Sequence, residues 1–311
     1  MIVTTSEDFL AAYSAERFPR TAAATARAAF LVTPQAFALA EQSATDNRYM
    51  ANAASSVSRD SSVDASRALR EHATLAAALR ESVPTIVFPG DASTPDAVFP
   101  NNVFATTPGR AIVGAMRHEI RRREATRQDI RAFFRDILEY EIVDLSTLPL
   151  VAELTGSLVV DRARGIGFCG LSERCDLAGA RAMHDAFGLR LTFAFKLAPG
   201  EYHANVVLAQ LASRALIVAP GGFAEPSAAD AIAHVYAPHV IRLDDAQKGA
   251  FAGNAIALDD SRVWMSSRAA ASLTQAQRSD LAQWGFELRC VALDEIEKAG
   301  GSLRCCVGEI Y

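Results

Sequence analysis

Residues 157–195, SLVVDRARGIGFCGLSERCDLAGARAMHDAFGLRLTFAF, hold one complete structural unit in consecutive pieces. SLVVDR and GIGFCGLS are short apolar runs with a brief connection between them, as two buried strands joined by a turn would be. Asp176 then stands where a helix N-cap belongs, and Leu177, Ala180, Met183 and Phe187 follow at helical spacing along one side. Gly188 is placed to stop that helix, and RLTFAF returns as a third strand. The unit reads strand, strand, helix, strand.

Related runs recur along the chain. Apolar stretches open near Val98 (AVFPNNVFAT), Leu158, Val206 (NVVLAQ), Ile256 (NAIALDD) and Cys305 (RCCVGEIY), roughly fifty to sixty residues apart, a spacing found in repeat architectures. Most are followed by a second run: RAIVGA, GIGFCGLS, RALIVAPGG and SRVWMSS. The strands EIVDLS, RLTFAF and HVIRL each close a unit, and ELRCVAL follows a helix expected over residues 275–284. A helix over 124–138 would carry Ile130, Phe133, Phe134, Ile137 and Leu138 on one apolar stripe, and another over 65–81 runs through Leu69, Ala73, Ala76 and Leu79.

Five such ββαβ modules predict an α/β protein, a closed pseudo-symmetric β/α propeller of five blades with short strands around a central cleft. A doubly wound sheet is the competing α/β architecture, set aside on the expectation that no glycine-rich phosphate loop such as GxGxxG or GxxxxGK(S/T) is present. Residues 1–28 match no module and are expected to be a helical extension, with 29–311 as a single domain. The polar stretch 55–66 (SSVSRDSSVDAS) is expected to be a flexible loop.

The 311 residues are 50% hydrophobic and 22% charged, ordinary globular composition with enough length to bury a sizeable core. A net charge of −5 makes nucleic acid an unsuitable partner. No apolar run approaches the roughly 18 residues of a membrane helix. The first residues carry Asp8 and two glutamates but no basic region before an apolar block, so they do not read as a secretory signal. Cys169, Cys175, Cys290, Cys305 and Cys306 have neither disulfide-framework nor zinc-ligand spacing. A reduced, cytoplasmic protein is expected.

Four modules place chemistry at the start of their first strand. GGSLRCCVGEIY sets Cys305 after a tight glycine turn at a strand mouth, where a thiol can be partly exposed and a nearby cation would favour its thiolate. The plainer reading makes both cysteines small core residues. His203, in PGEYHANVVLA, is placed for general acid–base work, although a lone histidine before a buried strand is more often structural. Glu153 (VAELTGSLVVDR) and Asp96 with Asn102 (TPDAVFPNNVF) hold the same place in their own modules. In a closed fan those mouths would converge on one cleft.

The motifs TPDAVFPNN, ELTGSLVVDR, LSERCD, YHANVV, FAGN and GGSLRC, in that order, resemble the pentein guanidine-modifying enzymes over about residues 29–311. That superfamily includes arginine deiminases, dimethylarginine dimethylaminohydrolases, arginine dihydrolases and amidinotransferases. The likeness is strongest to the arginine-deiminase-related, citrulline-utilisation hydrolase type. The resemblance implies roles residue by residue. Cys305 matches the nucleophile, with Cys306 facing the other side of its strand. His203 matches the general acid/base and Glu153 the carboxylate that helps orient it. Asp96 matches the acid that holds the substrate. Arg174, in SERCD, matches a guanidinium for the substrate carboxylate, a task suited to a bidentate contact. Arg117 is a second candidate for that task, or a solvated surface charge.

Three positions depart from the resemblance. Asn102 and Asn205 stand where deiminases carry aspartates, and Leu154 stands where relatives have glycine after the glutamate, which would crowd the cleft mouth. An amide both donates and accepts, so an asparagine can also hold a neutral ureido group. Arginine dihydrolases and succinylarginine dihydrolase resemble the chain in having asparagine there. The implied partner is a small guanidino or ureido amino acid. The implied chemistry is a covalent thiouronium intermediate on Cys305, with no metal or organic cofactor needed. Two rivals are an amidinotransferase of the same fold and a non-catalytic binding module, since a ribosome anti-association factor shares the fan. The oligomeric state stays open, a homodimer included.

Overall fold

The computed structural model describes residues 1–35, 37–50 and 63–311. β1 (Ile2–Val3) and the helix Ser6–Ala15 come first, followed by β2 (Ala28–Val32) and β3 (Thr85–Phe88). Next come β4 (Phe104–Thr107), β5 (Arg110–Val113) and β6 (Glu141–Asp144), then β7 (Leu158–Asp161), β8 (Ile166–Leu171) and β9 (Leu191–Lys196). The remaining strands are β10 (Leu208–Leu211), β11 (Ala215–Val218), β12 (Val240–Arg242), β13 (Arg262–Ser266), β14 (Glu287–Val291) and β15 (Gly308–Ile310).

One connectivity repeats in this mixed α/β fold. β4–β5, β7–β8 and β10–β11 are antiparallel pairs, and β5–β6, β8–β9 and β11–β12 are parallel pairs joined through helices. In the fifth sheet β13 and β14 are parallel, and a single antiparallel bridge, Ile256–Trp264, stands where the outer strand would be. The first sheet joins the two ends of the described chain: β15 lies antiparallel to β2, which is parallel to β3.

Local signals explain most of the helices. Asp176 accepts from the Gly179 N–H and opens the helix Leu177–Phe187, which ends where Gly188 turns to φ 63. Asp64 accepts from the Arg67 N–H to start Ala65–Leu79, and Thr274 with Gln277 forms a capping box for Gln275–Gln283. Positions 55–62 of the polar stretch lie outside the described residues. β1 adds to the edge of the third sheet beside β9, and Phe9 stacks on Phe193 at 4.9 Å. Phe9 is fully buried, and such burial contributes about 2 kcal/mol. Among the described residues no helix is long and apolar enough to cross a membrane.

Three expectations need correction. The run from Val98 does not open as a strand: Pro100–Asn102 is a 3-10 turn and β4 starts at Phe104. Cys305 likewise lies on the turn Leu303–Cys306, three residues before the strand starts at Gly308. A short apolar run looks the same whether it enters as a helical turn or as a strand. The helix expected over 124–138 is instead Glu119–Ala125, then Gln128–Ala132 running into a π-helical turn, Phe133–Ile137. That wider turn rotates later residues off the stripe, so Ile137 is 68% exposed while Ile130 and Phe134 are buried. Gly165–Gly170 spells GxGxxG letter by letter, yet it is a turn and the body of β8, with no helix N-terminus behind it.

Candidate active site

The chemistry-bearing side chains share one local device: a single helical turn feeding a strand. Glu153 precedes the turn Leu154–Ser157 and β7, and His203 precedes Ala204–Val207 and β10. Asn102 ends the turn before β4, and Cys305 sits on the turn before β15. A turn ahead of the strand aims these side chains inward, whereas a strand alone would alternate them between faces. Leu154 takes φ 22, close to the region glycine favours, but its side chain packs fully buried among Ala152, Leu158 and Cys169. It does not crowd the cleft.

Glu153 is the electrostatic centre. His203 Nε2 lies 2.8 Å from Oε2, Arg174 Nη1 lies 3.2 Å from Oε2, and the Arg117 backbone N–H donates to Oε1 at 3.2 Å. Burial opposes a charge here, yet Arg174 and then the His203 hydrogen bond hold the carboxyl well below the usual carboxylate range. Burial pulls His203 below the ordinary imidazole value despite its carboxylate partner. The carboxylate can only accept, so Nε2–H donates to Glu153, and in the neutral ring Nδ1 carries the free lone pair. Nδ1 is buried without a hydrogen-bond partner. The ring packs so closely on Gly156 that a Cβ there would lie 2.7 Å from it, so only glycine fits.

Arg174 is 2% exposed and reaches two carboxylates. Besides Glu153 it donates to Asp46 Oδ1 from Nε at 2.9 Å and from Nη2 at 2.6 Å. Burial opposes its charge, but Glu153 and Asp46 keep it protonated. Asp46 also meets His118 Nε2 at 3.0 Å.

Asp96, Asn102, Arg121, Arg174, Tyr202 and Cys305 line a cavity of about 20 Å³, the space of one water molecule. Asp96 accepts from Ser43 Oγ at 2.6 Å through Oδ2, while its buried Oδ1 has no partner. The hydrogen-bond network orients the Asn102 amide: Oδ1 accepts from Arg121 at 2.9 Å and Nδ2 donates to the Phe99 carbonyl at 3.2 Å. Cys305 is 2% exposed. Its Sγ accepts from Asn254 Nδ2 at 3.3 Å and faces Asn205 Oδ1 at 3.9 Å. Burial pushes the Cys305 thiol up, partly offset by the Ser302 backbone N–H and Asn254. Cys306 points elsewhere, with Sγ 3.5 Å from the Ser302 carbonyl in the core.

The structure thus gathers Asp96, Asn102, Arg174 and Cys305 on one cavity, with Asn205 against the sulfur and the Glu153–His203 pair behind Arg174. The Arg117 guanidinium does not line that cavity; its side chain is 42% exposed, and it pairs with Glu173 at 2.7 Å and with Asp46 at 3.4 Å. Three residues escaped the sequence reading. Arg121, in the run RRRE, looks like a solvated charge but is buried, and Nε and Nη2 each meet the Glu124 carboxylate at 2.8 Å. The i, i+3 spacing of Arg121 and Glu124 was the available signal. Asp46 lies in a segment without regular periodicity. Asn254, within FAGN, was noticed as a motif but given no task.

Helical-turn pedestals, an imidazole held by a buried carboxylate, and a cysteine on one cavity with paired guanidiniums make up the site. A family model described as N,N dimethylarginine dimethylhydrolase, eukaryotic, matches residues 33–311, and the chain belongs to that family. It is an enzyme of that hydrolase class. No curated protein matches it in sequence. Among solved structures it resembles the N-terminal domain of ArgZ, an arginine dihydrolase from the ornithine–ammonia cycle in cyanobacteria. That match has a TM-score of 0.77 at 18% identity and covers 91% of this chain and 97% of that one. It also resembles unliganded AgrE, with a TM-score of 0.76 at 20% identity over 91% of this chain and 39% of that one. The third likeness is a dimethylarginine dimethylaminohydrolase variant carrying an adduct with S-methyl-L-thiocitrulline, with a TM-score of 0.69 at 21% identity over 91% and 99% of the two chains. The chain spans 40% of full-length ArgZ. These identities carry the fold.

Proposed function

We propose that the chain hydrolyses the guanidino or ureido carbon of a small arginine-like amino acid through a covalent intermediate on Cys305. In this reading the five sheets close as a five-bladed fan around the cavity, residues 29–311 form the catalytic domain, and residues 1–28 are an extension docked on the third sheet. The observation that carries the reading is Asp46 on Arg174. A carboxylate from the protein already occupies the guanidinium that in this reading holds a substrate carboxylate, and that guanidinium lines the same cavity as Cys305. The cavity admits one water, so the segment bearing Ser43 and Asp46 has to release Asp96 and Arg174 when substrate enters. Arg174 then takes the substrate carboxylate, and the unpartnered Asp96 Oδ1 accepts from guanidino or ureido N–H groups.

The chemistry runs in two displacements. Cys305 gives its proton to His203 as its sulfur forms a C–S bond to the guanidino carbon, and the C–N bond to the leaving nitrogen breaks as His203 passes that proton to the nitrogen. Water then attacks the thiouronium carbon, one of its protons passing to His203 and the other to the departing sulfur, and the C–S bond breaks to return the Cys305 thiol and a ureido product. A second round would release an amine, carbon dioxide and further ammonia. Glu153 holds the imidazole in the tautomer that leaves Nδ1 free for the proton. Asn102 and Asn205 are neutral, and Asn102 Oδ1 keeps one lone pair beyond its Arg121 bond. Two amides in place of carboxylates favour a site that also accepts the neutral ureido compound, as a dihydrolase requires; ArgZ is named as an arginine dihydrolase.

The test is turnover of a panel of free, methylated and acylated arginines and of citrulline, with products followed by mass spectrometry and Cys305→Ser alongside. A ureido product marks a deiminase, and ornithine with two ammonia equivalents marks a dihydrolase. Product formation by Cys305→Ser, or no turnover of any panel member by the wild type, would overturn the reading.

A further inference from the structure

The segment FAGN, residues 251–254, is built with unusual constraint for a surface-to-core connection. Phe251 adopts φ 65, in the left-handed region that a bulky residue rarely enters. Gly253 lies so close to the preceding module that a Cβ would stand 2.3 Å from the Val206 carbonyl oxygen. Between these two features the chain drives Asn254 inward, and it is fully buried. Both amide protons are spoken for. Nδ2 donates to the Asn205 backbone carbonyl at 2.8 Å and to Cys305 Sγ at 3.3 Å.

The first of these bonds settles the orientation of the amide. A carbonyl oxygen can only accept, so the nitrogen of Asn254, not its oxygen, must face Asn205 and with it the sulfur. Asn254 Oδ1 is left buried without a partner, which costs about 1–3 kcal/mol in general. A side chain held in that way presents a fixed N–H donor to one sulfur atom.

We propose that Asn254 is a catalytic residue that stabilises the Cys305 thiolate through its amide N–H, so that the nucleophile is activated by neutral dipoles. The inference rests on Cys305 being the nucleophile. The charged and titratable groups around the sulfur are Asp96, Arg121, Arg174 and Tyr202 across the cavity, with Arg304 and Cys306 on its own turn. Arg121 and Arg174 are each taken up by a carboxylate partner, Glu124 and Glu153 with Asp46 respectively. Arg304 is likewise taken up by Glu309 at 2.7 Å, and among the described residues the Asn254 amide remains as the side-chain donor aimed at sulfur. A hydrogen bond to an ionised acceptor is among the stronger kinds, and sulfur gains from it chiefly as the anion.

The experiment titrates the thiolate by its ultraviolet absorbance in wild type and Asn254→Ala, each read against the same protein carrying Cys305→Ser. No substrate is needed. Asn254→Ala is expected to move the Cys305 titration up by about one to two pH units. With a turned-over panel substrate, the rising limb of kcat/KM should move by the same amount, with activity recovered at high pH. Asn254→Ser, which keeps a smaller hydroxyl donor, should move it less in the same direction, and it serves if the alanine variant does not fold. A folded variant that loses activity while its thiol titrates as in wild type would assign Asn254 a structural role and overturn the proposal. Full turnover by Cys305→Ser would instead remove the nucleophile on which the proposal rests.

Discussion

Glu153 is met by Arg174, His203 and a backbone N–H, whereas Cys305, on the same cleft, is met by the amides of Asn254 and Asn205. Both residues are buried, yet the two clusters manage burial in opposite ways. Around Glu153 a guanidinium at 3.2 Å and an imidazole N–H at 2.8 Å meet the carboxylate, which stays ionised against its desolvation. Around Cys305, among the described residues, the neutral Asn254 amide N–H donates to the sulfur and the Asn205 amide oxygen accepts from the thiol, which stays above its ordinary value. The difference teaches how one cleft can hold a proton carrier and a nucleophile together. The paired charges fix protonation states before substrate arrives. Burial keeps the sulfur neutral at rest, and the Asn254 amide N–H cushions its ionisation when the reaction asks for it.

Breaking the charged cluster should have the largest effect. His203→Ala removes the proton carrier and is expected to lower kcat by about 10²–10⁴-fold, measured on the panel substrate with the highest turnover. Glu153→Gln leaves Arg174 with one of its two carboxylates and the imidazole without its anchor. A loss of about 3–5 kcal/mol in unfolding free energy is expected by denaturant titration at neutral pH.

The same variant sharpens the contrast through pH. Glu153 and His203 are both held below their ordinary values in the folded chain, so the unfolded chain takes up their protons first. Their contribution to stability is full above about pH 6.5 and drains as pH falls, through His203 first and then, below about pH 4.3, through Glu153. Glu153→Gln should lack the second step. On the cysteine side the sign is reversed: a thiol pushed up is protonated at neutrality, so kcat/KM should climb as pH rises past the ordinary thiol value near 8.5.

Smaller changes test the edges of each cluster. Asn102→Asp places a carboxylate on the cavity beside Arg121 and should raise the preference for a cationic guanidino over a neutral ureido substrate by about tenfold in the kcat/KM ratio. An unchanged ratio would remove Asn102 from substrate recognition. Arg117→Ala breaks only half-exposed pairs with Glu173 and Asp46, so stability should fall by about 1 kcal/mol or less in a thermal melt. Its backbone N–H to Glu153 survives the substitution.

What the sequence could reveal follows from how far each interaction reaches. Glu153, His203 and Cys305 were legible because each is positioned by its own turn and strand, and the same short pattern recurs in several modules. The helix Leu177–Phe187 was legible from Asp176 to Gly188 for the same reason. Asp46 was not, because its partner Arg174 is 128 residues away and nothing local marks the segment that carries it. Arg121 was masked by its neighbours in an arginine-rich run, where only packing separates the buried guanidinium from the solvated ones. The strand starts at Val98 and Cys305 were misplaced because one helical turn inside an apolar run leaves the hydrophobic pattern unchanged. Ile137 was misplaced because a π-helical turn alters the period that the stripe assumes.

The central claim is a covalent bond between Cys305 and the substrate carbon, and rapid acid quenching during turnover followed by intact-protein and peptide mass spectrometry reads it directly. The expected species is the protein heavier by the mass of the substrate less its leaving ammonia or amine, with the addition on the peptide containing Cys305. An adduct mapped to any other residue, or product formed at the wild-type rate by Cys305→Ser, would contradict it.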